Sequence, residues 1–99
     1  LVCDSNKCYV IRNGRAEMSS ITGTGCQLSG LITAFLVANP EDKLKAAAAA
    51  VCTMGLAGEI GWSHMQESDG NSTYRNRIID AIYNMDGDAL EKGAKYEIE

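Results

Sequence analysis

From Glu41 to Ser63 the chain reads EDKLKAAAAAVCTMGLAGEIGWS, a long run of alanine, glycine and apolar residues with no proline. Alanine is the strongest helix former, so this stretch is a helix. Its small side chains let neighbouring elements approach closely, which predicts a place in a protein interior. Length and apolarity alone would also suit a membrane crossing. Lys43 and Lys45 flank the run and Glu59 interrupts it, which favours a soluble core helix and no membrane partner. Asn39-Pro40 stops the preceding segment, with Pro40 near the first turn and Glu41 and Asp42 where the helix dipole favours acids. The predicted helix spans residues 40–64.

Around it the pattern alternates between strand and helix. LVCDSNKCYVIRNG reads as a hairpin whose two runs are separated by Asp4-Ser5-Asn6-Lys7, with Asn13-Gly14 as a second turn signal. Cys8 and Val10 share one face of the second run, Tyr9 and Ile11 the other. AEMSSI continues as a third extended piece, so residues 1–21 are expected as hairpin and strands. Leu28, Leu31, Ile32, Phe35 and Leu36 then fall at helical spacing, which places a glycine loop and helix over 22–38. QESDGNS is a loop, and Ile78, Ile79, Ile82, Tyr83 and Met85 mark a third helix over 72–86. DGDALEKGAKYEIE reads as acidic, solvated surface ending in a strand over 94–99, where Tyr96 and Ile98 alternate with Glu97 and Glu99.

The chain has 99 residues, enough for one small domain that buries only about 60–65% of its unfolded surface. A net charge of -4 and nine scattered Lys and Arg residues argue against a nucleic-acid surface. Any anion must be held locally. The sequence opens inside an apolar run with no initiating Met and no signal segment, and we expect a piece of a longer, cytoplasmic chain. On that reading Cys3, Cys8, Cys26 and Cys52 are reduced thiols, since no C-x-x-C or Cys/His cluster is present and the lone His64 is distant in sequence. The Asn71-Ser72-Thr73 sequon then carries no glycan.

The stretch ITGTGC, Ile21 to Cys26, carries the chemistry. Gly23 and Gly25 permit positive φ and let a ligand approach the main chain. The unpaired N–H groups of a helix start, with the positive end of the dipole, form an anion site that needs no basic residue. Thr22 or Thr24 is placed to cap the helix or bond a phosphate oxygen. Cys26 falls in the first turn, where the same field favours the thiolate, so a base would stand beside an oxyanion site. The plain alternative is a tight loop with Cys26 as a small packed side chain. No G-K-[ST] follows, so this is not a Walker loop.

RNGRAEMSSITGTGCQLSGLITAFLVA resembles the C-terminal part of the hydroxyethylthiazole kinases, of the ribokinase-like superfamily. Met18, Ser19, Ile21, Thr22, Gly23, Thr24, Gly25 and Cys26 match that family's pattern; Gly55 to Glu59 match its GLAGE segment, and IIDAIYNM its LLDALY helix. DGNSTY departs from the family's GPGSF. The resemblance implies an α/β fold, taken from a ribokinase-like α/β/α sandwich: a β-hairpin followed by three helices and a short terminal strand. It implies transfer of the γ-phosphate of ATP, with Mg2+, to the hydroxyl of 4-methyl-5-(2-hydroxyethyl)thiazole in thiamine metabolism. Gly23 would touch the thiazole, Thr24, Gly25 and Cys26 would complete the anion hole, and Cys26 would stand where related kinases carry an aspartate base. The intact enzyme is expected as a homotrimer with sites between subunits. Residues 1–99 would be about its last third, lacking the segments that complete both substrate sites, and inactive alone. The alternatives are a related vitamin kinase acting on a hydroxymethylpyrimidine or pyridoxal, and a non-catalytic oligomerising domain.

Other polar residues have plainer readings. Ser19 and Ser20 are strand-end residues, Glu59 a charge at a helix surface or subunit contact, Trp62 and Met65 packing or interface residues. Cys3, Cys8 and Cys52 are buried apolar side chains. No residue of the chain is assigned to a metal.

Overall fold

A computed structural model describes residues 1–99. Strands β1 (Val2–Cys3), β2 (Cys8–Ile11) and β3 (Tyr96–Ile98) form one antiparallel sheet in that order. Helices α1 (Thr24–Ala38), α2 (Lys43–Ser63), α3 (Asn71–Asn84) and α4 (Gly87–Gly93) complete the α/β fold.

The alanine-rich segment is the centre of the molecule. α2 packs against α1, α3, α4 and the first two strands. Eleven of its residues are buried, among them Ala50, Met54 and Ala57, and the close approach rests on its glycines. A Cβ on Gly55 would lie 2.7 Å from the carbonyl oxygen of Asn13, and one on Gly58 would overlap the Met18 sulfur. Although α2 is long and apolar enough to cross a bilayer, 61% of its apolar window is buried inside this molecule. It starts at Lys43, later than the sequence predicts, because the Asp42 carboxylate accepts the Lys45 N–H at 3.1 Å and caps it. Pro40 and Glu41 sit in the turn before that cap.

The core lies between α2 and α3. Ile21, Met54, Ala57, Tyr74, Ile78 and Ala81 form one buried cluster, and Leu28 and Leu31 of α1 pack against it. The Tyr74 hydroxyl donates to the Gly58 carbonyl at 2.8 Å, and the Trp62 ring meets the Tyr74 ring edge-on. The Arg15 guanidinium lies over the Trp62 ring, 4.9 Å from its centroid. Met65 packs against the core, while Trp62 packs against Tyr74 and Arg15 with part of its ring exposed.

Three expectations are corrected. AEMSSI is no strand: Ala16–Ser20 is a 3₁₀ helix, curled by the Ser19 and Ser20 hydroxyls donating to the Ala16 and Glu17 carbonyls and by the Arg15–Glu17 pair. The acidic segment after residue 85 contains a fourth helix, α4, capped by Asp86 accepting the Ala89 N–H at 2.8 Å. Cys3 and Cys8 are neither free nor fully buried. The β1–β2 register sets them opposite each other, and they form a disulfide. Cys52 is buried, and burial pushes its thiol above the usual range. The sheet is closed by β3, whose Tyr96 pairs with Ile11 and Ile98 with Tyr9.

Asn13 and Glu59 lock these parts together. Glu59 accepts the Asn13 side-chain N–H at 2.7 Å, the Gly14 backbone N–H at 3.2 Å and the Lys95 ammonium at 2.6 Å. Asn13 also donates to the Gly93 carbonyl and accepts the Lys95 backbone N–H. Burial alone would raise the Glu59 carboxyl, but the hydrogen bonds from Lys95, Asn13 and Gly14 outweigh it and hold it below its ordinary value. Glu59 is therefore an internal tie between α2, the turn after β2 and the approach to β3.

Candidate functional site

The glycine turn is anchored at its front by Ile21, which is buried in the core. Thr22 and Gly23 then turn the chain into α1. Gly23 holds the N-cap position with φ of 97°, in the left-handed region where a Cβ costs about 1–2 kcal/mol. No side chain caps α1, which corrects the expectation that Thr22 or Thr24 would do so. The first helical bond runs from the Gln27 N–H to the Gly23 carbonyl at 3.0 Å. The N–H groups of Thr24, Gly25 and Cys26 find no acceptor in the protein. Three aligned donors at the positive end of a fifteen-residue helix can bind an anion.

Cys26 occupies the third helical position and is exposed, free of any disulfide. Its placement in the first turn is the one the sequence predicts, and its thiol is open to reagents. Gly25 is also exposed, with open space where a Cβ would stand, so nothing in this chain requires a glycine there.

The start of α3 lies across the turn. The Asn71 amide donates to the Ser20 carbonyl at 3.2 Å, and the Ser20 hydroxyl donates to the Asn71 side-chain oxygen at 3.3 Å. Between the two helix starts is a groove of about 410 Å³ lined by Ser20, Ile21, Thr22, Gly23, Asn71, Ser72 and Arg75. Its polar lining is hydroxyl, amide and guanidinium, with no carboxylate. A second groove of about 430 Å³ shares Ser20 and Asn71, but is bordered by Glu17, Glu67 and Asp69. The Arg15 side chain, hydrogen-bonded to Glu17, holds that carboxyl below its usual range.

The structure thus brings Gly23, Thr24, Gly25 and Cys26 to one helix start, with Gly23 alone among them lining the groove. Asn71, Ser72 and Arg75 were not legible as neighbours, because they come from half the chain away. One local signal existed: α3 has no acidic residue in its first turn and carries Arg75 near its positive end. Ser19 and Ser20 act through the 3₁₀ helix rather than as nucleophiles.

An α/β scaffold with a left-handed glycine and three free N–H groups at a helix start places this chain among the α/β proteins whose glycine turns suit an anion. The model of the hydroxyethylthiazole kinase family matches residues 1–88, and the chain belongs to that family. It is 47% identical over 97 residues to a hydroxyethylthiazole kinase of Clostridium acetobutylicum, covering 98% of this chain and 36% of that one. With a Zea mays hydroxyethylthiazole kinase the identity is 40% over 82 residues, 83% of this chain and 28% of the relative. Among solved structures, a hydroxyethylthiazole kinase protein from Pyrococcus horikoshii OT3 superposes with a TM-score of 0.84 at 25% identity, covering 97% of this chain and 36% of that one. The chain spans about a third of the length of the relatives it matches.

Proposed function

We propose that this chain is the C-terminal part of a hydroxyethylthiazole kinase and supplies one side of its active site. The observation that carries the proposal is the helix start led by Gly23, where three N–H groups are free to meet a phosphate. In the intact enzyme the hydroxyethyl oxygen of the thiazole forms a bond to the γ-phosphorus of ATP as the bond from that phosphorus to the β–γ bridging oxygen breaks. ADP leaves with the electron pair, and the alcohol proton passes to Cys26. The N–H groups of Thr24, Gly25 and Cys26 neutralise charge on the moving phosphoryl group. Gly23 brings the main chain against the thiazole side.

The donor set of the groove does not fit Mg2+, because hydroxyl, amide and guanidinium groups line it without a carboxylate, and no cluster of metal-binding side chains occurs in this chain. Magnesium belongs with the phosphates of ATP and with residues outside this chain. The same reading places the intact enzyme in the cytoplasm as a homotrimer, with neither membrane nor nucleic acid as partner. Apolar side chains left exposed on the helices, Val37 and Tyr83, support contacts beyond this chain, whether with the rest of its own fold or with a second subunit.

The test is an ADP-release assay with thiazole alcohol and ATP in the presence of Mg2+, run on the longer protein containing this sequence and on residues 1–99 alone. Turnover confined to the longer protein is expected. Turnover by the short chain would refute the half-site reading. A substrate panel including hydroxymethylpyrimidine and pyridoxal separates the thiazole kinase from its nearest alternatives.

A further inference from the structure

The cation beside the glycine turn is the residue whose surroundings the reading above leaves unexplained. The Arg75 Nε would stand 3.8 Å from a Cβ on Gly23, so the guanidinium lies over the turn itself. Arg75 is in no ion pair and donates to no protein acceptor; Lys7, Lys43, Lys45 and Arg77 are likewise outside the four ion pairs, but of these five only Arg75 lies at the glycine turn. It borders the groove free of carboxylates, while Glu17, Glu67 and Asp69 face the neighbouring one. Its helix is held to the turn by the reciprocal Ser20–Asn71 hydrogen bonds. An exposed positive charge with no protein partner, beside two positive helix ends, is stabilised by an anion that joins them.

We propose that Arg75 contacts the transferring phosphoryl group and is a catalytic residue of the reaction, adding a charged donor to the N–H groups of Thr24 to Cys26. The inference rests on the kinase reading above. A guanidinium donates two parallel hydrogen bonds to phosphoryl oxygens, a geometry that suits an anion held between Gly23 and Ser72. Arg75 moves no proton and makes no bond to phosphorus. It stabilises the charge that spreads over the non-bridging oxygens while the alcohol oxygen bonds and ADP departs.

The experiment uses the intact enzyme with Arg75→Ala and Arg75→Lys. Arg75→Ala is expected to lower kcat by about 10²-fold, the scale for loss of one oxyanion donor. The KM for the uncharged thiazole alcohol should stay within about twofold, inhibition by the phosphorylated product should weaken about tenfold, and Arg75→Lys should recover part of both losses. A kcat and a product inhibition within about twofold of wild type would overturn the proposal while the wild-type activity left the kinase reading intact. Should wild type itself fail to phosphorylate the alcohol, that reading falls. Pyrophosphate titrated into wild type and Arg75→Ala then tests the anion site directly, and equal affinities overturn it. If Arg75→Ala does not fold, Arg75→Gln serves for the same measurements.

Discussion

Cys26 and Gly23 make separable demands on the helix start. Cys26 is exposed in the first turn, and the role proposed for it, that of the base, is chemical. In the intact enzyme Cys26→Ala should therefore lower kcat by about 10²- to 10⁴-fold, the usual range for a positioned base, with much smaller changes in KM. Cys26→Asp should keep or raise turnover, because a carboxylate is ionised at neutral pH; alanine turning over like wild type would remove Cys26 from the mechanism. Gly23→Ala asks a different question. Its Cβ would meet only the Arg75 Nε at 3.8 Å, so there is no clash, yet the left-handed φ of 97° strains any side chain. The variant should lose about 1–2 kcal/mol in a denaturant titration. Both residues were legible in the sequence because the G-T-G-C pattern is local. Arg75 was not, since only the packing of α3 across α2 brings it over Gly23.

Among the elements, α1 and α2 were readable within a residue or two at most boundaries, because their apolar spacing and alanine content make one strong local statement each. The 3₁₀ helix and α4 were missed for the opposite reason. They are short, and side-chain caps decide them: the Ser19 and Ser20 hydroxyls in one, Asp86 in the other. α2 carries two tests of close packing. In Gly55→Ala the new Cβ meets the backbone of Asn13, a residue whose side-chain amide is tied to Glu59, Gly93 and Lys95. In Gly58→Ala it meets the Met18 side chain, which can move. Both should destabilise by about 1–3 kcal/mol, with Gly55→Ala the costlier by thermal melting. Glu59 sets the acid behaviour of the same helix. Its folded carboxyl lies below the ordinary value of 4.5, so its contribution is complete above that pH and is lost as pH falls through the lowered value. Melting temperatures of wild type and Glu59→Gln, followed from pH 7 to 3, should converge at the acid end; parallel curves would contradict this.

For the whole molecule, the class, the β1–β2 hairpin and the terminal strand were legible in the sequence, and the partner of that strand was not. The Cys3–Cys8 disulfide and the pairing of β2 with β3 are set by register and by long-range contact, which no local motif records. A thiol titration of the purified protein should find two free groups, Cys26 reacting in the native state and Cys52 only after unfolding, since Cys52 is buried. Four reactive thiols after denaturation without reductant would mean that the hairpin is held by its ladder bonds alone. The last contact of the sheet has a further consequence. Lys95 reaches Asn13 across 82 residues, and through Asn13 and Gly14 that contact braces the segment leading to the glycine turn. On the ribosome, then, the helices can associate and seat Ile21 in the core while Asn13 and Gly14 are held by Glu59 alone, and the segment leading to the turn gains its last brace only after Lys95 has emerged. A protease nick between α4 and β3 would loosen that brace without removing a single residue of the groove.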